Sequence, residues 1–180
     1  MSMQRATDSA QRFEAVFDAE FGYVWTSLRR LGVPERDLED LAHDVFVEVH
    51  RRFDDYDPAR PIRPWLFAFA FRFASDYRRR ARNRFEMLHD APPDRGHTDD
   101  AHRALEERQA RDLVLRALEG IDDEDQRAVF IMYEIDEVPM RDIASAMNIP
   151  LNTGHSRLRL AREAFRRAVR AIEQREEGAR

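Results

Sequence analysis

Apolar residues recur three and four positions apart through most of the chain, the spacing that places them on one face of an α-helix. Over residues 11–31 the stripe is Phe13, Phe17, Phe21, Val24, Leu28 and Leu31, and Gly32 marks its end. Over residues 35–53 it is Leu38, Leu41, Ala42, Val45, Phe46, Val49 and Phe53, with Asp40, His43, Asp44, Val47 and Arg51 opposite. The stretch from residue 65, WLFAFAFRFASDYRRRARNR, carries two patterns at once. Trp65, Phe67, Phe69, Phe71 and Phe73 alternate as in a strand, whereas Leu66, Phe69, Ala70, Phe73 and Tyr77 follow a helix; the Ala and Arg content favours the helix. Two further helices are expected over residues 101–118 (Leu105, Leu113, Leu115, Leu118) and 124–135 (Val129, Phe130, Tyr133).

The breaks between these stripes organise the chain. Residues 57–64, DPARPIRP, form a Pro-punctuated loop. Residues 90–100 are rich in Pro, Gly and Asp without periodicity, so a flexible linker is expected there. The expected fold is all-α: a helical domain over residues 1–89, the linker, and a smaller helical domain over residues 101–175. Residues 1–10 are polar and expected to fray.

Residues 139–162, PMRDIASAMNIPLNTGHSRLRLAR, read as two short helices around a tight turn. Ile143, Ala144 and Met147 stripe the first; Asn148-Ile149-Pro150 breaks it, because Asn tolerates a left-handed turn and Pro disfavours helix before it. Asn152 or Thr153 is suited to cap the second. There Gly154, Arg157, Leu158 and Ala161 share one face, with Gly154 permitting close packing on the first helix, while Asn152, His155, Ser156, Arg159 and Glu163 share the other. A polar helix face with Arg and Asn suits the major groove, where Arg reads guanine and Asn reads adenine. On spacing alone, a plain amphipathic hairpin with a solvated face fits equally.

Charge sharpens the picture. The whole chain is net −5, yet residues 151–170 hold six Arg against Glu163, and residues 62–85 hold seven Arg against Asp76. Residues 119–137 are the reverse, with eight acids against Arg127, and residues 35–57 set nine acids against three Arg. An exposed Val47 within that second acidic face suits a protein partner. Aromatics interleaved with Arg from Trp65 onward suit unpaired nucleic acid, where bases stack and guanidiniums meet phosphate; the simpler reading makes the aromatics core and the Arg run a solvated helix end. All 30 basic residues are Arg, which codon usage in a GC-rich genome explains as well as any contact chemistry does. There is no Cys, hence no disulfide framework or thiolate metal site, and no apolar run approaches a membrane span or a signal-peptide core.

With these motifs in hand, residues 13–170 resemble a bacterial RNA polymerase sigma factor of the small extracytoplasmic-function group. DLEDLAHDVFVEVHRRFDDYD is similar to the region-two helix that docks on the polymerase clamp, and PWLFAFAFRFASDYRRR to the segment that reads and melts the upstream-of-start element. The helical pair at residues 139–162 resembles region four, which binds the minus-35 element. Carried over, the resemblance implies polymerase binding by Asp40, Leu41, His43, Asp44, Val47 and Glu48. It implies promoter melting by Arg63, Trp65, Arg72, Ser75, Asp76, Arg79 and Arg80, with the 57–64 loop shaping the pocket, and minus-35 contact by Asn152, Thr153, His155, Ser156 and Arg159. The chain departs from the family pattern at His43 (usually Gln), His50 (an aromatic), Arg72 (Asn), Asp122 (Pro), Gly154 (Val) and Leu160 (Arg). Region three has no counterpart, and no sensory domain is expected after Arg170.

The partners implied are core RNA polymerase and promoter DNA, with an anti-sigma factor as a further partner the resemblance allows. A cytoplasmic protein without membrane insertion, cofactor, metal or small-molecule substrate is expected. A dimeric helix-turn-helix regulator of duplex DNA would explain residues 139–162 but leave the acidic helix and the aromatic-Arg stretch unused. An enzyme would have to draw on His43 with Asp40, Asp44 or Glu48, and no H-E-x-x-H, Gly-rich phosphate loop or nucleophile motif accompanies them.

Overall fold

The computed structural model describes residues 2–87 and 102–178, among which every regular element is helical. The order is α1 (Ser2–Arg30), α2 (Glu35–Arg51), a 3₁₀ turn (Phe53–Asp55), α3 (Ile62–Met87), α4 (His102–Glu119), α5 (Glu124–Phe130) continued by a π-helical turn (Ile131–Ile135), α6 (Met140–Ala146) and α7 (Leu151–Gly178). The linker expected at residues 90–100 lies outside the described residues. Two boundaries differ from expectation. Helix α1 already starts at Ser2, where a frayed end was expected. Helix α7 starts at Leu151, directly after Pro150, so Asn152 and Thr153 fall inside its first turn instead of capping it.

The stops follow from backbone chemistry. Gly32 ends α1 with a φ of 90°, a left-handed value that a side chain would oppose, while the Val33 N–H returns to the Leu28 carbonyl. Asn148 takes the tight turn at φ 51°, as its side-chain type allows. Asp123 caps α5 by accepting from the Gln126 N–H at 2.8 Å.

Helices α1, α2 and α3 pack together around Val24, Leu28, Leu38, Val45, Leu66 and Phe67, all fully buried. Helices α4 to α7 pack around Leu118, Ile121, Val129, Met132, Ile143 and Ala161. The helical pattern in the 65–77 stretch is the one realised: Leu66, Phe69 and Ala70 are buried, and Phe67 joins them. Gly154 lets α7 approach α6 so closely that an added Cβ would stand 2.6 Å from Met140 Sδ.

The buried residues of the two groups form one contiguous core, with α3 against α6. Polar contacts surround that junction. The Tyr23 hydroxyl and Arg30 both donate to Asp136 at 2.8 Å, Arg78 and Arg82 reach Glu124 at 3.1 and 3.0 Å, and Arg60 donates to Ser145 Oγ at 3.2 Å. Burial pushes the Asp136 carboxyl above its ordinary value, against the pull of Tyr23 and Arg30, and burial together with Asp136 pushes the Tyr23 phenol up. Arg127 is itself buried. It satisfies carbonyls at the end of α4 and in the corner after it, donating to Glu119 O at 3.2 Å and Ile121 O at 2.8 Å, and burial lowers its pKa to about 10.

Candidate functional site

Three surfaces carry the residues singled out from sequence. The first is the outer face of α2. Asp40, His43, Asp44 and Val47 are exposed, Val47 by 50%, because the helix commits Leu38, Ala42, Val45, Phe46 and Val49 to the core on its other side. Leu41 lies at the edge and packs against that core. Glu48 is tied up by its own side of the molecule, with Arg52 at 2.8 Å and Arg51 and Arg72 both at 3.6 Å. Asp40 and Asp44 therefore hold the acidic charge that remains open. Beside them, Phe13, Phe17, His43, Phe46, Val47, His50 and Arg51 line a groove of about 280 Å³. The His43 ring sits 5.0 Å from Phe21, and His50 meets Phe13 edge-on at 4.7 Å. Phe13 and Phe17 belong to the apolar stripe of α1 that turns towards the core, yet they also line this groove, a contribution that depends on how α1 crosses α2.

The second surface runs from the Pro-punctuated loop onto α3. Tyr56 packs on Trp65 at 5.1 Å, Trp65 meets Phe69 edge-on at 4.8 Å, and the Arg72 guanidinium lies over Phe69 at 5.2 Å. These four form a continuous aromatic-to-guanidinium row in which each ring supports the next. The Tyr56 hydroxyl also donates to the Arg60 carbonyl, and Asp57 accepts from the Ala59 N–H at 3.0 Å, so the loop is closed on itself at the base of the row. Asp76 and Arg79 continue this side of α3, paired at 2.8 Å, and Arg80 is exposed. Arg63 does not join the row. It pairs with Glu20 of α1 at 2.9 Å and stacks over Tyr23 at 5.1 Å. Ser75 likewise lies on the side of α3 that meets Glu124. Tyr56 was missed from sequence; its signal was an aromatic placed directly before the rigid loop.

The third surface is the first half of α7. Asn152, His155, Ser156 and Arg159 are exposed and Thr153 half-buried, while Gly154, Leu158 and Ala161 are buried against the rest of the motif. Among the described residues Arg159 pairs within its own helix, with Glu163 at 2.8 Å. The neighbouring acids hold other arginines. Arg157 meets Asp125 at 2.6 Å, and Arg162 meets Glu134 at 2.6 Å while lying over the Tyr133 ring. Arg166, Arg167 and Arg170 are exposed beyond them. Among the described residues no His, Asp and Glu cluster could hold a metal ion, and no helix is long and apolar enough to cross a membrane.

The family model for sigma-70 region 2 matches residues 17–84, and the model for sigma-70 region 4 matches residues 123–165. The ECF RNA polymerase sigma-E factor of Escherichia coli K12 is 26% identical over 150 residues, 78% of this chain and 78% of that protein. The RNA polymerase sigma factor CnrH of Cupriavidus metallidurans is 49% identical over a 39-residue stretch, 22% of this chain and 20% of that protein. Among solved structures, CnrH in complex with the cytosolic domain of CnrY superposes with a TM-score of 0.64 at 25% identity, covering 92% of this chain and 94% of that one. The sigma factor RpoE of Bartonella quintana, in complex with the anti-sigma factor NepR, shares the fold at a TM-score of 0.69 and 18% identity, covering 89% and 98%. Both family regions fall in order on the two helical groups that carry the three surfaces, and the chain belongs to the sigma-70 family of RNA polymerase sigma factors, in its extracytoplasmic-function group.

Proposed function

We propose that this sigma factor divides its work among the three surfaces. The open face of α2, with Asp40, Asp44, Val47 and the adjoining apolar groove, binds core RNA polymerase. The row from Tyr56 to Arg72 captures an unpaired promoter base, and the exposed face of α7 reads the minus-35 duplex. The observation that carries this reading is the row itself: a rigid loop, the packed rings of Tyr56 and Trp65, and a guanidinium held in place by Phe69 and Glu48. A plain duplex-binding regulator has no use for such a platform. Extruding a base costs a few kcal/mol of stacking, and an aromatic contact returns ~1–3 kcal/mol per base. Binding energy alone therefore suffices to nucleate strand opening, without covalent chemistry or a bound nucleotide.

Because CnrH was solved with CnrY and RpoE with NepR, an anti-sigma protein is the partner we propose for the inactive form of this chain, with the cytoplasm as its place of action.

The test is a strand-opening assay with reconstituted holoenzyme and a fluorescent base in the upstream-of-start element. Trp65→Ala and Arg72→Ala should retain closed-duplex binding, lose opening, and regain transcription on a pre-melted template. Normal opening by both variants would remove the basis for the assignment.

A further inference from the structure

The acidic stretch of residues 119–137 has no part in the functions above, yet several of its side chains meet arginines. Asp125 and Glu134 hold Arg157 and Arg162 of α7, and Asp136 holds Arg30 of α1. Glu124 does something different: a single carboxylate oxygen bridges Arg78 and Arg82, at 3.1 and 3.0 Å, one turn apart on α3. Those two arginines belong to the basic run that follows the base-capturing row. Two guanidiniums converging on one anionic oxygen is also how arginines hold a phosphate group.

We propose that Arg78 and Arg82 form a phosphate-binding site for the opened promoter strand, and that Glu124 of the C-terminal half masks this site in the free chain. The proposal rests on the sigma-factor reading, whose DNA-handling surface it extends along α3. Geometry on both sides of the junction supports it. The contact joins the two family regions, and the same junction places Arg60, from the loop at the base of the row, against Ser145 of α6. On this proposal these polar contacts part while the halves rearrange, as contacts between domains of one chain commonly do. Burial pushes the Glu124 carboxyl up, but the neighbouring Ser75 hydroxyl and the Arg78 and Arg82 charges outweigh it and leave it below its ordinary value. The mask is therefore an anion at neutral pH, and a phosphate replaces it charge for charge. Separation of the halves on polymerase or promoter then exposes Arg78 and Arg82 on the Glu124 side of α3, beyond the row, where a strand leaving Arg72 would have to cross the helix to meet them.

The experiment uses the full chain without polymerase and a fluorescein-labelled, mixed-sequence single-stranded DNA as probe, read by anisotropy across a salt series. Glu124→Gln keeps the side-chain shape at a first-turn position that does not supply the cap. Glu39→Gln, exposed on α2, makes the same change in net charge elsewhere. Glu124→Gln should bind about fivefold tighter than wild type, the scale of losing one partly exposed ion pair, with a log–log salt slope steeper by about one unit. Glu39→Gln should match wild type. Equal affinity of the two variants would overturn the mask. In holoenzyme, Arg82→Ala should flatten the salt slope of promoter binding by about one unit; an unchanged slope would overturn the phosphate site, and this exposed position does not put folding at risk. Run-off transcription with wild-type chain and core polymerase keeps the two readings apart. Active wild type with an unresponsive Glu124→Gln sinks the mask alone, whereas inactive wild type sinks the sigma-factor reading beneath it.

Discussion

Two glycines test how closely the C-terminal helices are fitted together. An added Cβ at Gly120, in the α4–α5 corner, would lie 2.4 Å from the Ala168 Cβ of α7 and 3.7 Å from its Cα. Carbon atoms rest about 3.5–4.0 Å apart, so Gly120→Ala requires roughly 1 Å of movement from a side chain with no rotamer to change. Overpacking of this kind costs about 1–3 kcal/mol. For a chain of this length each kcal/mol lowers Tm by about 2–4 °C, and a mid-range cost of about 2 kcal/mol gives a fall of about 4–8 °C. Gly154→Ala meets a contact nearly as short, 2.6 Å, but its neighbour is Met140 Sδ. A thioether has rotatable bonds with which to withdraw, and replacing Gly by Ala within a helix returns about 0.8–1.0 kcal/mol. The net change there should stay within about 1 kcal/mol. Thermal unfolding followed by circular dichroism on both variants decides the matter. A Gly120→Ala protein as stable as wild type, or a Gly154→Ala protein less stable than Gly120→Ala, would refute the reasoning from neighbour rigidity.

Other outcomes follow from the same geometry. Asp44→Arg combined with Val47→Asp alters only exposed positions of α2, so Tm should hold while co-elution with core polymerase is lost; unchanged co-elution would move the contact off this face. Arg159→Ala should weaken minus-35 binding by ~1–3 kcal/mol with the loss confined to one or two base positions, whereas Arg167→Ala should weaken all duplexes alike; competition binding on a promoter library separates the two patterns. Glu124 is held below its ordinary carboxyl value of 4.5, so its contribution to stability is present above that pH and is lost as pH falls through the lower folded value. The Tm advantage of wild type over Glu124→Gln should therefore stand at pH 6 and shrink below about pH 4.5, and a pH-independent difference would count against the ion pair.

Much of this molecule follows from local sequence. The stripe of α2 sends Leu38, Val45 and Val49 inward, which leaves Asp40, Asp44 and Val47 outside whatever the neighbours do. Gly32, Asn148 and Pro150 stop or turn the chain through their own backbone preferences. Gly154, Leu158 and Ala161 face inward and His155, Ser156 and Arg159 outward because helical periodicity separates them. The two competing patterns from Trp65 to Phe73 are different. They are settled by burial, since only a helix places Leu66, Phe67 and Ala70 together against α1 and α2.

What tertiary structure alone decided are the pairings between distant residues. Glu48 has Arg51 and Arg52 three and four positions on, a pairing its own stretch supplies, but only the packing of α3 brings Arg72 to it as well. Arg63 and Arg72 look alike in sequence, yet one packs on Tyr23 of α1 and the other on Phe69 and Glu48. The partners of Arg30, Arg78 and Arg82 lie across the junction of the two halves. Periodicity fixes the direction in which a side chain leaves its own helix; the charge or ring it meets there depends on the helix packed opposite, and long-range packing is not encoded in any short stretch of the chain.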